Sequence, residues 1–406
     1  VTVKESFDLT GAPTTWGVPE YSGNIADTDA ALVARYRGAG AVLFGKTNVP
    51  FMLTDWQSFN EIHGTCNNPW DLTRTPGGSS GGSAAALATG LTGLDAGSDI
   101  GASIRNPAHY CGVFGHKPTW GVISARGQAL PGDHAPTDIA VVGPLARSAE
   151  DLRLAFDILA GADGPAARGW QLTLPGPRRQ DLRDYRIGIL LSDPQAEVEQ
   201  SYQDAISSLA RWLEGEGVTV AWEAKPAFPT DTAMEVYTML LRAATSKRLD
   251  DEMITQAGED LARLPAGTFP YRRRMLEGQT MLHRDWLRWN ERRHELMTAW
   301  EAWFETYDLL LCPAASSPAF PHDQAGERHD RVISVNGRAQ PVVDQLFWAG
   351  YSCGYYLPST VAPIGLADGL PVGIQIIGRQ YDDLTCLQMA ALIEEGYYRF
   401  RPPLGY

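Results

Sequence analysis

Two turns rich in glycine and serine constrain this chain more than any other feature. The first is Gly77-Gly78-Ser79-Ser80-Gly81-Gly82-Ser83, and the second runs Gly97-Ser98-Asp99-Ile100-Gly101-Ala102-Ser103-Ile104-Arg105-Asn106-Pro107. Taken alone, such stretches read as flexible linkers. The segment between them argues against that, because Ala84-Ala85-Ala86-Leu87-Ala88 and Leu91 to Leu94 are apolar and need a core to cover them. Two turns separated by a short packed element let backbone approach closely and leave N–H groups exposed, which is what a developing oxyanion needs. Both turns also carry serines.

A core large enough to hold such turns is available, since 44% of the 406 residues are hydrophobic and only 20% are charged. The formal charge of −14 disfavours a broad nucleic-acid surface, because an acidic chain repels phosphates. Cys66, Cys111, Cys312, Cys353 and Cys386 are odd in number and widely spaced, in no paired motif. They read as free, buried thiols in a reducing compartment, with no disulfide framework and no metal site. A cytoplasmic location follows as an expectation. No apolar run reaches the roughly 20 residues of a membrane-spanning helix. Val1-Thr2-Val3 already reads as a strand in progress, so the expectation is that something upstream is missing.

Helical and strand patterns alternate through the first part of the chain. Ala30 to Arg37 is helical, with oxygens for an N-cap at Asp27 to Asp29 and a stop at Gly38. Ala41 to Phe44 reads as a short strand, Ser83 to Thr89 as a small-residue helix, and Leu145 to Leu159 as a helix capped near Ser148. Gly161 to Asp184 is a surface linker, and Tyr185 to Leu191 a strand. Helices dominate from 195 to 305. There Leu282, Trp286, Trp289, Arg293, Leu296, Trp300 and Trp303 fall on one face of a long helix, read as a stripe facing the core. Arg272-Arg273-Arg274 is read as a solvated face. Asp308 to Pro313 and Leu370 to Gly378 read as buried strands, and Asp382 to Glu395 as the last helix.

Two motifs point elsewhere and fail on context. Gly40-Ala41-Val42-Leu43-Phe44-Gly45-Lys46-Thr47 matches the phosphate-binding P-loop, but a helix precedes it and Val49-Pro50 follows where a helix should open. Gly77-Gly78-Ser79-Ser80-Gly81 matches the hydrolase nucleophile elbow, but a polar, Pro-bounded loop stands where the elbow needs a strand.

The chain resembles the amidase signature family of Ser-Ser-Lys hydrolases. The match runs from Val3-Lys4-Glu5-Ser6-Phe7-Asp8 through Gly45-Lys46-Thr47-Asn48, Ser79-Ser80 and Ser103-Ile104-Arg105-Asn106-Pro107-Ala108, with weaker matches at Asp308 to Pro313 and Gly369 to Gly373. The resemblance implies an α/β fold: one large domain over 1–406, with a central mixed β-sheet covered by helices on both faces. Core motifs would fill 1–160 and 306–396, and a variable, mainly helical, substrate-side region about 195–305. The helical segment that usually precedes the lysine is absent from this numbering.

By the same resemblance Ser103 is the acyl-accepting nucleophile, Ser79 the bridging serine on a cis peptide, and Lys4 the base. The backbone N–H groups of Ile100, Gly101, Ala102 and Ser103 form the oxyanion hole, Asp99 and Arg105 hold the turn, and Leu53 lines the acyl site. The chemistry is coherent: a serine hydroxyl needs a positioned base, and a lysine serves only if burial keeps its amine neutral. The expected activity is hydrolysis of a carboxamide or related C–N acyl bond, aryl or apolar, with carbamates or esters as further substrates. No cofactor or metal is implied. The expected partner is a small-molecule amide, with a homodimer as the expected assembly. The alternative is an amidotransferase A-like subunit that supplies ammonia to a partner complex. In one departure from the family pattern, Ala102 stands where members commonly carry a second glycine.

Overall fold

Eight strands build one sheet in the order Leu94–Asp99, Val141–Ala146, Phe114–Lys117, Ser359–Ala367, Leu370–Ile377, Leu309–Pro313, Arg186–Ile189 and Thr219–Trp222. The computed structural model describes residues 1–265, 267 and 270–406. Neighbouring strands run antiparallel from Leu94–Asp99 through to Leu309–Pro313, and the last three run parallel. The sheet is therefore mixed. Leu370–Ile377 is buried at every position, the signature of a strand covered on both faces. Helices Gly81–Ala88 and Arg105–Cys111 pack on each other and on the sheet, and Ala149–Leu159 and Asp383–Gly396 form a second such pair. This is the α/β architecture that the resemblance implies.

The region from 195 to 305 is mainly helical, through Gln200–Gly215, Thr230–Ser246, Asp251–Arg263, Pro270–Gln279 and His283–Phe304. It also supplies the sheet's edge strand, Thr219–Trp222. The tryptophan stripe grades from solvent into the core: Leu282 is 58% exposed, Trp286 and Trp289 are half-buried, and Trp300 is fully buried. All five cysteines are free thiols, four of them buried.

Two expected elements shift. Ala41 to Phe44 is not a strand; Val42 and Phe44 are 76% and 61% exposed, and strand pairing begins only at Gly45. There Gly45–Thr47 runs parallel to Thr2–Lys4, with Lys4 opposite Thr47. Leu145 and Ala146 end a sheet strand and do not begin a helix. The helix starts at Ala149, where the Ser148 hydroxyl accepts the Asp151 amide and acidic Glu150 and Asp151 meet the positive end of the dipole.

Candidate active site

Thr2–Lys4 is a three-residue strand buried at every position, and it delivers Lys4 beneath the two glycine-rich turns. Its amine donates to the Ser79 hydroxyl at 2.6 Å and to the Ser98 hydroxyl at 2.9 Å. Burial lowers the Lys4 pKa to about 7, against the opposing pull of the Asp99 and Asp95 charges. A large fraction of neutral amine near pH 7 is the state in which lysine can accept a proton.

The turn bearing Ser79 exists because its glycines have no side chains. A Cβ on Gly78 would lie 2.3 Å from the Asp55 carbonyl oxygen, and Gly77 takes a left-handed φ of +88°. The peptide between Gly78 and Ser79 is cis. No strand leads into this turn, so the elbow motif has no elbow geometry. The amide of Ser80 donates to the carbonyl of Ser103 at 3.1 Å, which ties the first turn to the second.

The second turn is organised around Asp99. Its carboxylate accepts the Ala102 amide at 2.9 Å and the Ile104 amide at 3.0 Å, and pairs with the buried Arg105 guanidinium at 2.9 Å. Burial opposes ionisation here, but Arg105 outweighs it and holds the Asp99 carboxyl well below the usual carboxylate range. From outside, Tyr237 donates its hydroxyl to the Ile100 carbonyl at 2.8 Å, and the Trp56 indole N–H donates to the Gly101 carbonyl at 2.7 Å. With those carbonyls engaged, the N–H groups of Ile100, Gly101 and Ser103 are given to no side chain or turn carbonyl among the described residues. Ala102 is a correction. Its N–H is already spent on Asp99, so it is not a free oxyanion donor.

Ser79, Ser103, Ile100, Gly101 and Leu53 all line one cavity of about 1170 Å³. Leu53 reaches it from a short turn in which both it and Met52 have left-handed φ, 59° and 53°. Among the described residues no hydrogen bond joins the hydroxyls of Ser79 and Ser103. Among the described residues no hydrogen bond joins a histidine to Ser79, whose hydroxyl meets Lys4; His134 lines the same cavity, and His109 and His116 are buried elsewhere, bonded to Ser317 and Gly373 and to Thr360 and Asp383. Among the described residues no cluster of His, Cys, Asp and Glu could hold a metal ion. No helix among them is long and apolar enough to cross a membrane.

Several residues at the site had no signal in the sequence. Ser98 touches the lysine but looks like any serine next to a glycine. Asp95 is fully buried, accepts the Thr2 hydroxyl at 2.5 Å, and is pushed up to about 7 by burial. Trp56 and Tyr237, distant in sequence, buttress the second turn.

A family model described as Amidase matches residues 1–387. An indoleacetamide hydrolase from Bradyrhizobium diazoefficiens is 29% identical over 402 residues, covering 97% of this chain and 72% of that protein. A glutamyl-tRNA(Gln) amidotransferase subunit from Thermus thermophilus is 32% identical over 430 residues, covering 100% of this chain and 86% of that protein. Among solved structures, 6-aminohexanoate cyclic dimer hydrolase complexed with substrate superposes with a TM-score of 0.78 at 26% identity, covering 99% of this chain and 86% of its own.

Proposed function

This chain belongs to the amidase family, and on that premise we propose that it is a hydrolase of linear amides working through an acyl-Ser103 intermediate. The observation that carries the reading is the contact of the buried Lys4 amine with the Ser79 hydroxyl at 2.6 Å, with Ser103 on the same cavity wall.

In this mechanism Ser103 Oγ attacks the amide carbonyl carbon as its proton passes to Ser79 and that of Ser79 passes to Lys4. For the proton to pass, the Ser103 hydroxyl turns toward Ser79 when substrate enters. The carbonyl oxygen becomes an oxyanion that accepts N–H groups from Ile100, Gly101 and Ser103. Collapse breaks the C–N bond while the proton returns by the same path to the departing nitrogen, which leaves badly without it. Ammonia or an amine departs. Water then attacks the acyl-Ser103 ester, giving a proton along the same route; the C–O bond to Ser103 breaks as that proton returns to Ser103 Oγ, and the carboxylic acid leaves.

Replacement of Ser103 by Ala tests the reading: loss of amide turnover and of fluorophosphonate labelling is expected, and retention of both refutes it. A screen of amides, anilides, carbamates and esters defines the acyl range. The five free thiols suit a cytoplasmic enzyme. A second reading, as an ammonia-supplying member of a larger complex, draws on the likeness to the Thermus thermophilus amidotransferase. Turnover of a simple amide by the isolated protein, sized by gel filtration, favours the first reading; inactivity until a partner is added favours the second.

A further inference from the structure

We propose that the substrate is an amide that also carries a carboxylate, and that Arg242 and Arg328 hold it. The proposal rests on the hydrolase reading above and narrows its substrate.

Both arginines line the cavity that holds Ser79 and Ser103. Arg242 comes from the helix Thr230–Ser246 and Arg328 from the turn Arg328–Asp330, so the chain brings together two cations far apart in sequence. They converge on one phenol: Arg242 donates to the Tyr271 hydroxyl, and Arg328 approaches the same oxygen at 3.5 Å. Among the described residues neither makes an ion pair. Most acidic groups on the same cavity are already engaged, among them Asp55 with Arg331 at 2.6 Å, Asp133 with Lys247 at 3.1 Å and Asp163 with Arg126 at 2.7 Å; Asp8 and Asp27 also line it, and among the described residues neither pairs with Arg242 or Arg328. The Arg242 Nε is buried with no hydrogen-bond partner among the described residues.

Two guanidinium groups held together without a counter-charge are costly, and an anion between them removes the cost. A carboxylate fits best, because the planar fork of guanidinium matches it with paired, charge-assisted hydrogen bonds. The position suits a substrate substituent. Arg328 stacks over the Trp56 ring at 5.4 Å, and the indole N–H of Trp56 donates to the Gly101 carbonyl at 2.7 Å, so one indole separates the cation pair from the turn that bears Ser103.

Calorimetric titration of the Ser103→Ala protein decides the matter without relying on turnover. Three ligands are compared: glutaramate, with its carboxylate on the acyl half; N-butanoyl-β-alanine, with its carboxylate on the leaving half; and neutral pentanamide. One of the two anionic amides is expected to bind at least about tenfold more tightly than pentanamide, the value of a charge-assisted hydrogen bond, and which one tells the half that faces the arginines. In Arg242→Ala and Arg328→Ala versions that ratio falls toward one. An anionic amide that binds no tighter than pentanamide, or a preference that survives loss of both arginines, overturns the proposal. If the arginine variants do not fold, the ligand comparison in the Ser103→Ala protein decides alone. Tight binding of an anionic amide that the wild-type protein never hydrolyses would sink the hydrolase reading and leave this one standing.

Discussion

Ser98 Oγ accepts a hydrogen bond from Lys4 Nζ at 2.9 Å while Ser79 Oγ lies 2.6 Å from the same nitrogen. A neutral amine has two hydrogens and one lone pair. With one hydrogen placed on Ser98, rotation about the last side-chain bond is restricted, and the neutral amine can exchange the N–H it gives Ser79 for its lone pair when the Ser79 proton has to be taken. Replacing Ser98 by Ala removes that restraint. The acylation rate with a fluorophosphonate should fall roughly fivefold, as expected for one hydrogen bond of about 1 kcal/mol. An unchanged rate would remove Ser98 from any positioning role.

In the proposed mechanism Lys4 sets the pH dependence. Its ordinary value is well above neutrality and burial brings it to about 7, so kcat/KM should rise as pH passes upward through that value, where the protonated ammonium gives way to the amine. The sign follows from the base having to be uncharged. Lys4→Met should lower kcat by on the order of a hundredfold or more and abolish the acid limb. An acid optimum, with activity falling above pH 6, would be incompatible with a neutral lysine base.

Ala102 holds a left-handed φ of 70° and is nearly buried. Three small effects meet in Ala102→Gly: relief of about 1–2 kcal/mol of backbone strain, loss of about 0.8 kcal/mol of methyl burial, and about 0.4–1 kcal/mol more unfolded-chain entropy. They nearly cancel, so the free energy of unfolding in urea should change by less than about 1 kcal/mol in either direction. Valine is different, because a β-branched side chain tolerates this φ far less well. Ala102→Val should cost at least about 2 kcal/mol and slow acylation, since the same turn aims the neighbouring N–H groups. Equal stability of the two variants would contradict this account.

Removing Arg105 leaves a buried carboxylate without its paired cation. Arg105→Leu should cost about 3–5 kcal/mol, the range for breaking one side of a buried pair. Asp99 lies below its ordinary value in the folded protein, so its stabilising share is complete above about pH 4 and is lost only as pH falls further. In the variant, burial without Arg105 raises the Asp99 pKa, so the gap between wild type and variant should hold level or widen, and not narrow, as pH rises from 6 to 8. A gap that closes across that window would show that some other group carries the coupling.

Much of this arrangement is legible in the sequence because it is local. The two glycine-rich turns, the small-residue helix between them and Arg105 six residues from Asp99 all lie within thirty or so positions of one another. The strands Leu309–Pro313 and Leu370–Ile377 are readable because burial on both faces leaves a largely apolar run, broken in the second by Gln375. What fails is local signal overridden by tertiary pairing. Ala41 to Phe44 has a strand's apolar letters, yet pairing with Thr2–Lys4 takes the next three residues and leaves Val42 and Phe44 in solvent. Leu145 and Ala146 fit the periodicity of the helix that follows, although the sheet claims them and Ser148 sets the true start. Trp56, Tyr237, Arg242 and Arg328 are not legible as site residues, because only the folded chain brings them to the cavity.

The P-loop look-alike ends with a job of its own. Its last three letters, Gly45-Lys46-Thr47, form the strand that pairs with Thr2–Lys4, and the Glu5 amide continues that pairing onto the Thr47 carbonyl at 3.0 Å. Lys46, which in a true P-loop would face phosphate, instead ties down the loop at Pro13 and Thr14. A lesion in these letters would therefore look, in an activity assay, like damage to the proposed base Lys4, although none of the three lines the cavity. A motif search and an enzyme assay would then flag the same three residues for unrelated reasons, and only the assay would be reporting on chemistry.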